Sequence, residues 1–268
     1  MSGQPLLDVK GLTCRFGGLL AVEEMELAVP RSQLAGLIGP NGAGKTTVFN
    51  LLTGRVKPAS GSILFEGRPL IGLKANRINR LGLARTFQNI RLFSELTVMD
   101  NVLVGFHGGL KANFISAVLR LPSYRAEERR ILARAEEILE LMGLMEQAQE
   151  RAGNLAYGQQ RLLEIGRALA TSPSLLLLDE PAAGMNPQET LALSALVRRL
   201  RDELKLTVLL IEHDMHFVMN LCEELTVLDH GKVIARGAPQ AVQRDQAVIE
   251  AYLGVSPAKC ASTENGDA

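Results

Sequence analysis

Gly39-Pro40-Asn41-Gly42-Ala43-Gly44-Lys45-Thr46 is the segment that most strongly constrains the fold of this chain. An apolar run, residues 34–38, stops immediately before it and has the character of a buried strand. Residues 46–52 follow it with apolar side chains at helical spacing, and Gly54 ends that pattern. The local sequence therefore predicts a strand, a glycine-rich loop and a helix in direct succession.

The residue types in this loop suit the binding of phosphate. Glycines allow backbone N–H groups to turn inward around phosphate oxygens, and the positive end of the following helix adds to that attraction. Lys45 supplies a point charge, and the hydroxyl of Thr46 can ligate Mg²⁺. A plain glycine turn is the simpler alternative, but the flanking strand and helix favour a phosphate-binding loop.

A second motif is the apolar run at residues 175–178, which ends in Asp179 and Glu180. Ligands of open α/β sheets bind at the carboxyl ends of the strands, where these two acids are expected to lie. The first acid can hold the hydration shell of Mg²⁺, and the second can orient or deprotonate an attacking water. Alone, the acids could simply confer solubility; beside a phosphate-binding loop they indicate nucleotide hydrolysis.

His213 follows the next apolar strand, predicted at residues 207–211. A histidine at a strand end is often only a satisfied structural group. In a parallel sheet, however, this strand is expected beside the one that ends in Asp179. We therefore predict that His213 contacts the γ-phosphate or the attacking water.

The rest of the chain alternates between strand and helix signals. Residues 68–151 have a helical texture, with residues 108–124 as an inserted loop or short helix. Asn186 can cap a helix that begins at Pro187, and Glu189 can complete the capping box. Residues 225–228 and 233–236 read as a hairpin. Such alternation predicts a largely parallel sheet covered by helices.

Composition excludes several classes of protein. The 268 residues include 29 basic and 29 acidic side chains and are 47% hydrophobic, which fits one or two globular domains. Balanced charge disfavours a nucleic-acid-binding protein. No apolar run approaches the roughly 20 residues of a spanning helix, and the N-terminus has no export signal. Cys14, Cys222 and Cys260 lack metal spacing and are expected to be reduced.

At this point the motifs resemble those of ATP-binding cassette (ABC) ATPases, from Leu6 to about Leu253. The resemblance implies an α/β P-loop ATPase cassette with a mostly parallel central sheet, an antiparallel β portion and a helical subdomain. It implies one ABC ATPase domain over residues 1–254, with the helical subdomain at about 88–165 and a flexible tail at 255–268.

The resemblance also implies roles for individual residues. The implied catalytic residues are Glu180 as base, His213 and Gln88. The implied magnesium contacts are Thr46, Gln88 and Asp179. The implied ATP contacts are an aromatic side chain with a second wall, the phosphate loop and the signature segment at a helix N-terminus: Phe16, Val22, Gly39, Pro40, Asn41, Gly42, Ala43, Gly44, Lys45, Thr46, Thr47, Ala156, Tyr157, Gly158 and Gln159.

Two positions depart from the family pattern. Ala156 replaces the usual signature serine, and Asn186 replaces the usual aspartate of the loop after the acidic strand. The segment 155–160, together with 87–93 and the extra residues after His107, is similar to the ATPase subunit of bacterial branched-chain amino acid importers. That similarity implies a second, non-identical cassette, two membrane permease subunits and a periplasmic binding protein as partners. It implies a peripheral position on the cytoplasmic face of the inner membrane.

Three other kinds of protein share some of these sequence features. The lipopolysaccharide-export ATPase is a similar single cassette, but its signature keeps the serine-glycine-glycine form. A soluble cassette protein acting on ribosomes or DNA generally has two cassettes or long coiled-coil insertions. A stand-alone P-loop kinase leaves Gln88, the signature segment and His213 unexplained.

Overall fold

The computed structural model describes residues 4–106 and 122–253. Its strands, numbered in chain order, are β1 Leu7–Phe16, β2 Leu19–Val29, β3 Leu34–Ile38, β4 Ser60–Phe65, β5 Arg68–Pro69, β6 Leu83–Arg85, β7 Leu175–Asp179, β8 Thr207–Ile211, β9 Glu224–Asp229 and β10 Lys232–Gly237. Its α-helices are α1 Lys45–Leu52, α2 Ala75–Arg80, α3 Val98–Phe106, α4 Pro122–Met142, α5 Tyr157–Leu169, α6 Pro187–Leu204, α7 Met215–Leu221, α8 Pro239–Val242 and α9 Gln246–Leu253.

The strands form two sheets. The central sheet has six strands in the order β10-β9-β3-β8-β7-β6, and all of its pairings are parallel except the β9–β10 hairpin. The second sheet is antiparallel, with four strands in the order β2-β1-β4-β5. The predicted architecture, a mostly parallel sheet with an antiparallel portion and helices, is confirmed.

The central sheet is buried on both faces, which explains its continuous apolar strands. In β7, Leu175 and Leu177 face the core that includes α1, whereas Leu176 and Leu178 face the core that includes α5 and α6. Because successive side chains of a strand point to opposite faces, a run of four leucines supplies both cores at once. Such burial fixes the strand ends, and with them the loops that carry the motifs.

Sheet order brings together the two strands that end in the motifs. The glycine loop follows β3, and β8 lies between β3 and β7. Asp179 is the register partner of Ile211, two residues before His213. The prediction that β8 lies beside the acidic strand is therefore confirmed.

Some sequence expectations were wrong. Residues 68–151 were expected to be helical, but β5 and β6 lie in this stretch. The Leu83–Arg85 strand is only three residues long and pairs with β7, so its formation depends on a partner far along the chain rather than on local periodicity. Of the inserted segment 108–124, the last three residues belong to α4, and the others lie outside the described residues.

Among the described cysteines, Cys14 and Cys222 are buried free thiols. Burial raises the pKa of the Cys222 thiol to about 12. Both are therefore packing residues, and Cys260 lies outside the described residues. No helix in the described part of the chain is long and apolar enough to span a bilayer.

Candidate functional site

The glycine loop between β3 and α1 has the backbone of an anion cradle. Gly39, Gly42 and Gly44 have φ values of +146°, +81° and +105°. A Cβ on Gly39 would lie 2.0 Å from the carbonyl oxygen of Leu228, and a Cβ on Gly44 would lie 2.4 Å from that of Ala21. Only glycine fits at these two positions, because each combines a left-handed backbone with a close approach to another strand.

The N-terminus of α1 lies at the end of this loop. Gly44 is its N-cap and offers no side-chain acceptor to the first-turn N–H groups. These amides have no partner within the helix, so they are available to phosphate oxygens. Ala43 is buried, whereas Asn41, Gly42 and Thr46 are exposed; Pro40 and Thr47 are half-buried.

Lys45 lies across the mouth of the cradle. Its ammonium donates to the carbonyl oxygens of Gly39 and Pro40, over 2.7 and 2.9 Å. Burial lowers the pKa of Lys45, and the nearby charge of Glu180 partly offsets this. The lysine is thus held inside the loop, at the position where a phosphate would arrive.

Asp179 and Glu180 end β7 as predicted, and each is held by the segment around β6. Arg85 donates to the Oδ2 atom of Asp179 over 2.6 Å, and the amide of Gln88 donates to the Oε2 atom of Glu180 over 2.8 Å. Glu180 has a left-handed backbone with φ of +48°, which is uncommon for a non-glycine residue. The strained turn directs the two adjacent acids to different partners.

His213 lies at the edge of the same cluster. Its Nδ1 atom is 4.0 Å from the Oε2 atom of Glu180, and its side chain is 61% exposed. The preceding residue, Glu212, is buried and accepts hydrogen bonds from the backbone N–H groups of Ala182 and His213, over 2.8 and 3.1 Å. Burial raises the pKa of Glu212, although these backbone hydrogen bonds oppose that effect.

Phe16 and Val22 were expected to form two walls around an adenine ring. Phe16 is 48% exposed at the end of β1, which leaves its ring accessible for stacking. Val22 is fully buried, and its Cγ2 atom lies 3.6 Å from where a Cβ on Gly44 would be. The side chain of Val22 therefore packs next to the phosphate loop, and its role as a second adenine wall stays a prediction.

The signature segment lies at the N-terminus of α5, as expected. Ala156 is the N-cap and has no side-chain oxygen, so the only side-chain bond of the cap runs from its N–H group to Oε1 of Gln159. Tyr157 is exposed, and Gly158 is buried against Glu189 of α6. Ala156 and Tyr157 thus present their surfaces outward and do not contact this chain's own phosphate loop in any described hydrogen bond.

Asn186 retains a capping role despite its departure from aspartate. Its Oδ1 atom accepts from the N–H group of Glu189 over 3.0 Å, and Glu189 Oε2 accepts from the N–H group of Asn186 over 2.8 Å. The predicted capping box at the start of α6 is confirmed.

Sequence reasoning missed four buried charged residues around the site: Arg85, Arg161, Glu164 and Glu212. Each lies in or beside an apolar element, where a charged side chain is unusual unless it is paired. This unusual placement is the feature of the sequence that could have identified them. Each of them, however, has a partner distant in sequence: Asp179 for Arg85, Phe87 for Arg161 and Glu164, and Ala182 for Glu212.

The fold and the site together define a P-loop nucleotide-binding cassette: a glycine cradle after a parallel strand, with two acids and a histidine at neighbouring strand ends. The family model described as ABC transporter matches residues 22–183, and the model described as branched-chain amino acid ATP-binding cassette transporter matches residues 232–258. The chain belongs to the ABC transporter family. The prediction of an ABC ATPase is confirmed by these findings.

Curated relatives support the narrower resemblance. The high-affinity branched-chain amino acid transport ATP-binding protein LivG of Escherichia coli K12 is 50% identical over 251 residues, covering 94% of this chain and 98% of that protein. The corresponding protein BraF of Pseudomonas aeruginosa is 49% identical over the same shares. A crystal structure of an ATP-binding cassette of an ABC transporter, in its ADP conformation, matches with a TM-score of 0.82 and 30% identity, covering 94% of this chain and 100% of that one.

Proposed function

We propose that this chain binds and hydrolyses MgATP as the ATPase subunit of an importer of branched-chain amino acids. The observation that carries the proposal is the convergence of Lys45, Glu180 and His213 at one sheet edge in a chain that is half identical to such subunits. The alternatives of lipopolysaccharide export and of a soluble cassette protein have no comparable support in these relatives.

Phosphate binding is the first step derived from the geometry. The glycine cradle leaves no space for a Cβ at Gly39 or Gly44, and the uncapped N-terminus of α1 offers its amides. Lys45 exchanges its two carbonyl partners for phosphate oxygens. This exchange compensates the cost of keeping a cation in a partly buried site. Phe16 provides the exposed ring for the adenine.

The residues proposed for magnesium fit a hard cation. Thr46, Asp179 and Gln88 offer a hydroxyl, a carboxylate and an amide oxygen, the oxygen ligands that Mg²⁺ prefers beside phosphates. Bound there, the ion would neutralise phosphate charge and orient the phosphates. No group of three or more His, Cys, Asp or Glu side chains suited to a metal occurs in residues 4–106 and 122–253. A nucleotide-bound magnesium needs only one or two protein ligands.

Glu180 is proposed as the base that takes a proton from the attacking water. Gln88 holds one carboxylate oxygen in place, and His213 lies within 4.0 Å of that oxygen. A base at a fixed position beside the phosphate loop converts the reaction to one between pre-positioned groups. The carboxylate is 23% exposed, so water has access to it.

We propose the partners that the resemblance implied. A second, non-identical cassette would meet the outward-facing Ala156–Gln159 surface. There the helix amides and Gly158 would replace the missing serine hydroxyl. Two permease subunits, working with a periplasmic binding protein, would hold the chain at the cytoplasmic face of the inner membrane. We also propose that the chain forms one ABC ATPase domain over residues 1–254. This domain would include a helical subdomain at about 88–165 and be followed by a tail at 255–268.

A groove beside residues 86–89, which carry Gln88 and are named here the glutamine loop, is the proposed permease contact. It has a volume of about 520 Å³ and is lined by cationic and aromatic side chains that include Arg55, Arg91, Arg167, Phe87 and Phe93. The guanidinium carbons of Arg55 and Arg91 lie 4.6 and 4.8 Å from the centre of the Phe87 ring. Burial lowers the pKa of Arg55, and the nearby positive charges of Arg85 and Arg91 lower it further. Such a groove suits a permease loop that brings a carboxylate.

The test uses Glu180→Gln and the reconstituted transporter. Glu180→Gln should abolish hydrolysis and leave ATP binding intact, because the phosphate loop is unchanged; substantial residual turnover would refute the role of Glu180. Leucine with its binding protein should stimulate hydrolysis of the wild-type assembly. Stimulation by lipopolysaccharide instead, or turnover without permease subunits that leucine does not alter, would refute the importer.

A further inference from the structure

Arg161 donates hydrogen bonds to the backbone carbonyl groups of two successive residues, Phe87 and Gln88. It lies in the first two turns of α5, with a side chain only 3% exposed. Its Nη1 atom donates to the carbonyl oxygen of Phe87 over 2.7 Å, and its Nη2 atom donates to the carbonyl oxygen of Gln88. One guanidinium from the signature helix therefore fixes two successive carbonyls of the glutamine loop.

Glu164, one turn further along the same helix, binds the same backbone segment and Arg161. We call the hydrogen bonds of Arg161 and Glu164 to Phe87 and Gln88 the grip. Its Oε1 atom accepts from the N–H group of Phe87 over 3.2 Å, and its Oε2 atom accepts from Nη1 of Arg161 over 3.3 Å. Burial raises the pKa of Glu164. Besides pairing with each other, Arg161 and Glu164 therefore bind the backbone of Phe87 and Gln88. An ion pair that served only to stabilise the helix would not need these additional hydrogen bonds.

Stability alone does not account for this pair. Two buried charges cost several kcal/mol in lost solvation, and apolar replacements of similar volume are often neutral or stabilising. A bidentate guanidinium, by contrast, fixes position and direction at its acceptors. The arrangement therefore suits the placing of Gln88, whose side chain donates to Glu180 over 2.8 Å.

Tyr157 connects this grip to the surface of the signature segment. Its hydroxyl oxygen accepts from Nη2 of Arg161 over 3.2 Å, and the guanidinium carbon lies 5.7 Å from the centre of its ring. On the other side, its ring would lie 2.9 Å from a Cβ on Gly184, so only glycine fits there. The tyrosine, 46% exposed, touches both Arg161 and the loop after β7.

We propose that Arg161, with Tyr157 and Glu164, is a positioning device that sets the place of Gln88, so that the signature segment and Glu180 of one chain are mechanically linked. The inference rests on the proposed function for the roles of Gln88 and Glu180. A cassette that presses on Tyr157 from outside acts on the glutamine loop of this chain through Arg161. A glycine at position 157 has no side chain and could not transmit such a contact to Arg161.

Two variants test the device in the full chain. Arg161→Met removes the hydrogen bonds that Arg161 donates to Phe87, Gln88, Glu164 and Tyr157, and leaves the one from Phe87 to Glu164 in place. Tyr157→Phe removes only the oxygen that accepts from Arg161. The control is Arg199→Met, which breaks an exposed ion pair with Glu203 on α6. Hydrogen exchange of residues 86–93 is measured without nucleotide, and kcat and KM for ATP are measured on the same proteins, assembled with their partners.

We expect exchange over residues 86–93 to accelerate about tenfold or more in Arg161→Met and by a smaller factor in Tyr157→Phe, with the central sheet unchanged. We expect kcat to fall about tenfold and about threefold, with KM within about twofold, since a misplaced group reduces turnover rather than binding. Arg199→Met should match the wild type in both measurements.

Unchanged exchange over residues 86–93 in both variants, acceleration that spreads equally over the central sheet, or a raised KM at unchanged kcat would overturn the proposal. If Arg161→Met does not fold, Tyr157→Phe decides by the same criteria. If the wild type itself hydrolyses no ATP, the proposed function fails, whereas the exchange measurement still decides whether Arg161 places the glutamine loop.

Discussion

Arg85 of β6 donates to Asp179 of β7 over 2.6 Å, and their side chains are only 7% and 4% exposed. The same guanidinium donates to Oδ1 of Asn50 on α1 over 2.8 Å. The acid proposed for magnesium is therefore held by an arginine that also grips the helix of the phosphate loop. Burial makes this pair stronger than a surface ion pair and costly to break.

Replacement of Arg85 tests whether the buried pair stabilises the fold more than a surface ion pair does. Arg85→Met leaves the carboxylate of Asp179 buried without its cation, and we expect a loss of about 3 kcal/mol in the free energy of unfolding. Urea unfolding provides the measurement. The matched control is Arg31→Met, which breaks an exposed pair with Glu66 of similar length and should cost less than about 1 kcal/mol. Equal losses in the two variants would contradict the structural role of the Arg85 pair.

Gly44→Ala tests the geometry of the phosphate cradle. The new Cβ would lie 2.4 Å from the carbonyl oxygen of Ala21, at φ of +105°, so the loop must move. We expect affinity for a fluorescent ATP analogue to fall by at least about tenfold, because the amides of the loop no longer converge. Gly143→Ala is the control: it has φ of +68° and open space around it, so it adds only backbone strain of about 1 kcal/mol. Unaltered affinity in Gly44→Ala would show that the loop tolerates a side chain there.

Glu212 should make stability depend on pH. Its folded-state pKa is raised above 4.5 by burial, so the folded chain binds this proton more tightly than the unfolded chain does. The contribution is fully present below the unfolded pKa and is lost as pH rises through the folded pKa. Glu212→Gln should flatten the decline in unfolding free energy from pH 4.5 upward, as measured by urea unfolding at successive pH values. The prediction fails if the wild type and the variant decline in parallel.

The same substitution should also affect turnover. Both carboxylate oxygens of Glu212 accept from backbone N–H groups, at Ala182 and His213. An amide can accept at only one of these positions and presents an N–H group at the other, which leaves a buried donor facing a donor. We therefore expect kcat for ATP to fall with KM little changed, since the loops that end β7 and β8 separate while the phosphate loop is intact. A full wild-type kcat would contradict this coupling.

Asn186 offers a test of the departure from aspartate. Asn186→Ala removes the N-cap of α6 and should cost about 1 kcal/mol, whereas Asn186→Asp should differ from the wild type by only a few tenths, because asparagine and aspartate cap equally well. Thermal unfolding measures both. A large loss in Asn186→Asp would indicate that the amide nitrogen has a partner of its own.

Local patterns predicted much of the fold because they depend on neighbours in sequence. The β3-loop-α1 unit, the strand that ends in Asp179 and the cap at Asn186 are each specified within fewer than about twenty consecutive residues. The strand Leu83–Arg85 could not be predicted in this way, since it is too short for periodicity and exists through its pairing with β7. The burial of Val22 could not be predicted for a similar reason: it depends on how β2 packs against the phosphate loop.

The class of chemistry follows from residue types and their places in the chain, because the glycines, Lys45, Asp179, Glu180 and His213 suit phosphate transfer. Which charges hold these residues depends on the folded chain: Arg85 pairs with Asp179, Glu212 bridges two loops, and Arg161 donates to the backbone of Gln88. These contacts join residues up to 94 positions apart. A charged residue in an apolar element indicates that a partner is needed, because an unpaired buried charge is costly. The packing of the folded chain determines which partner lies close enough.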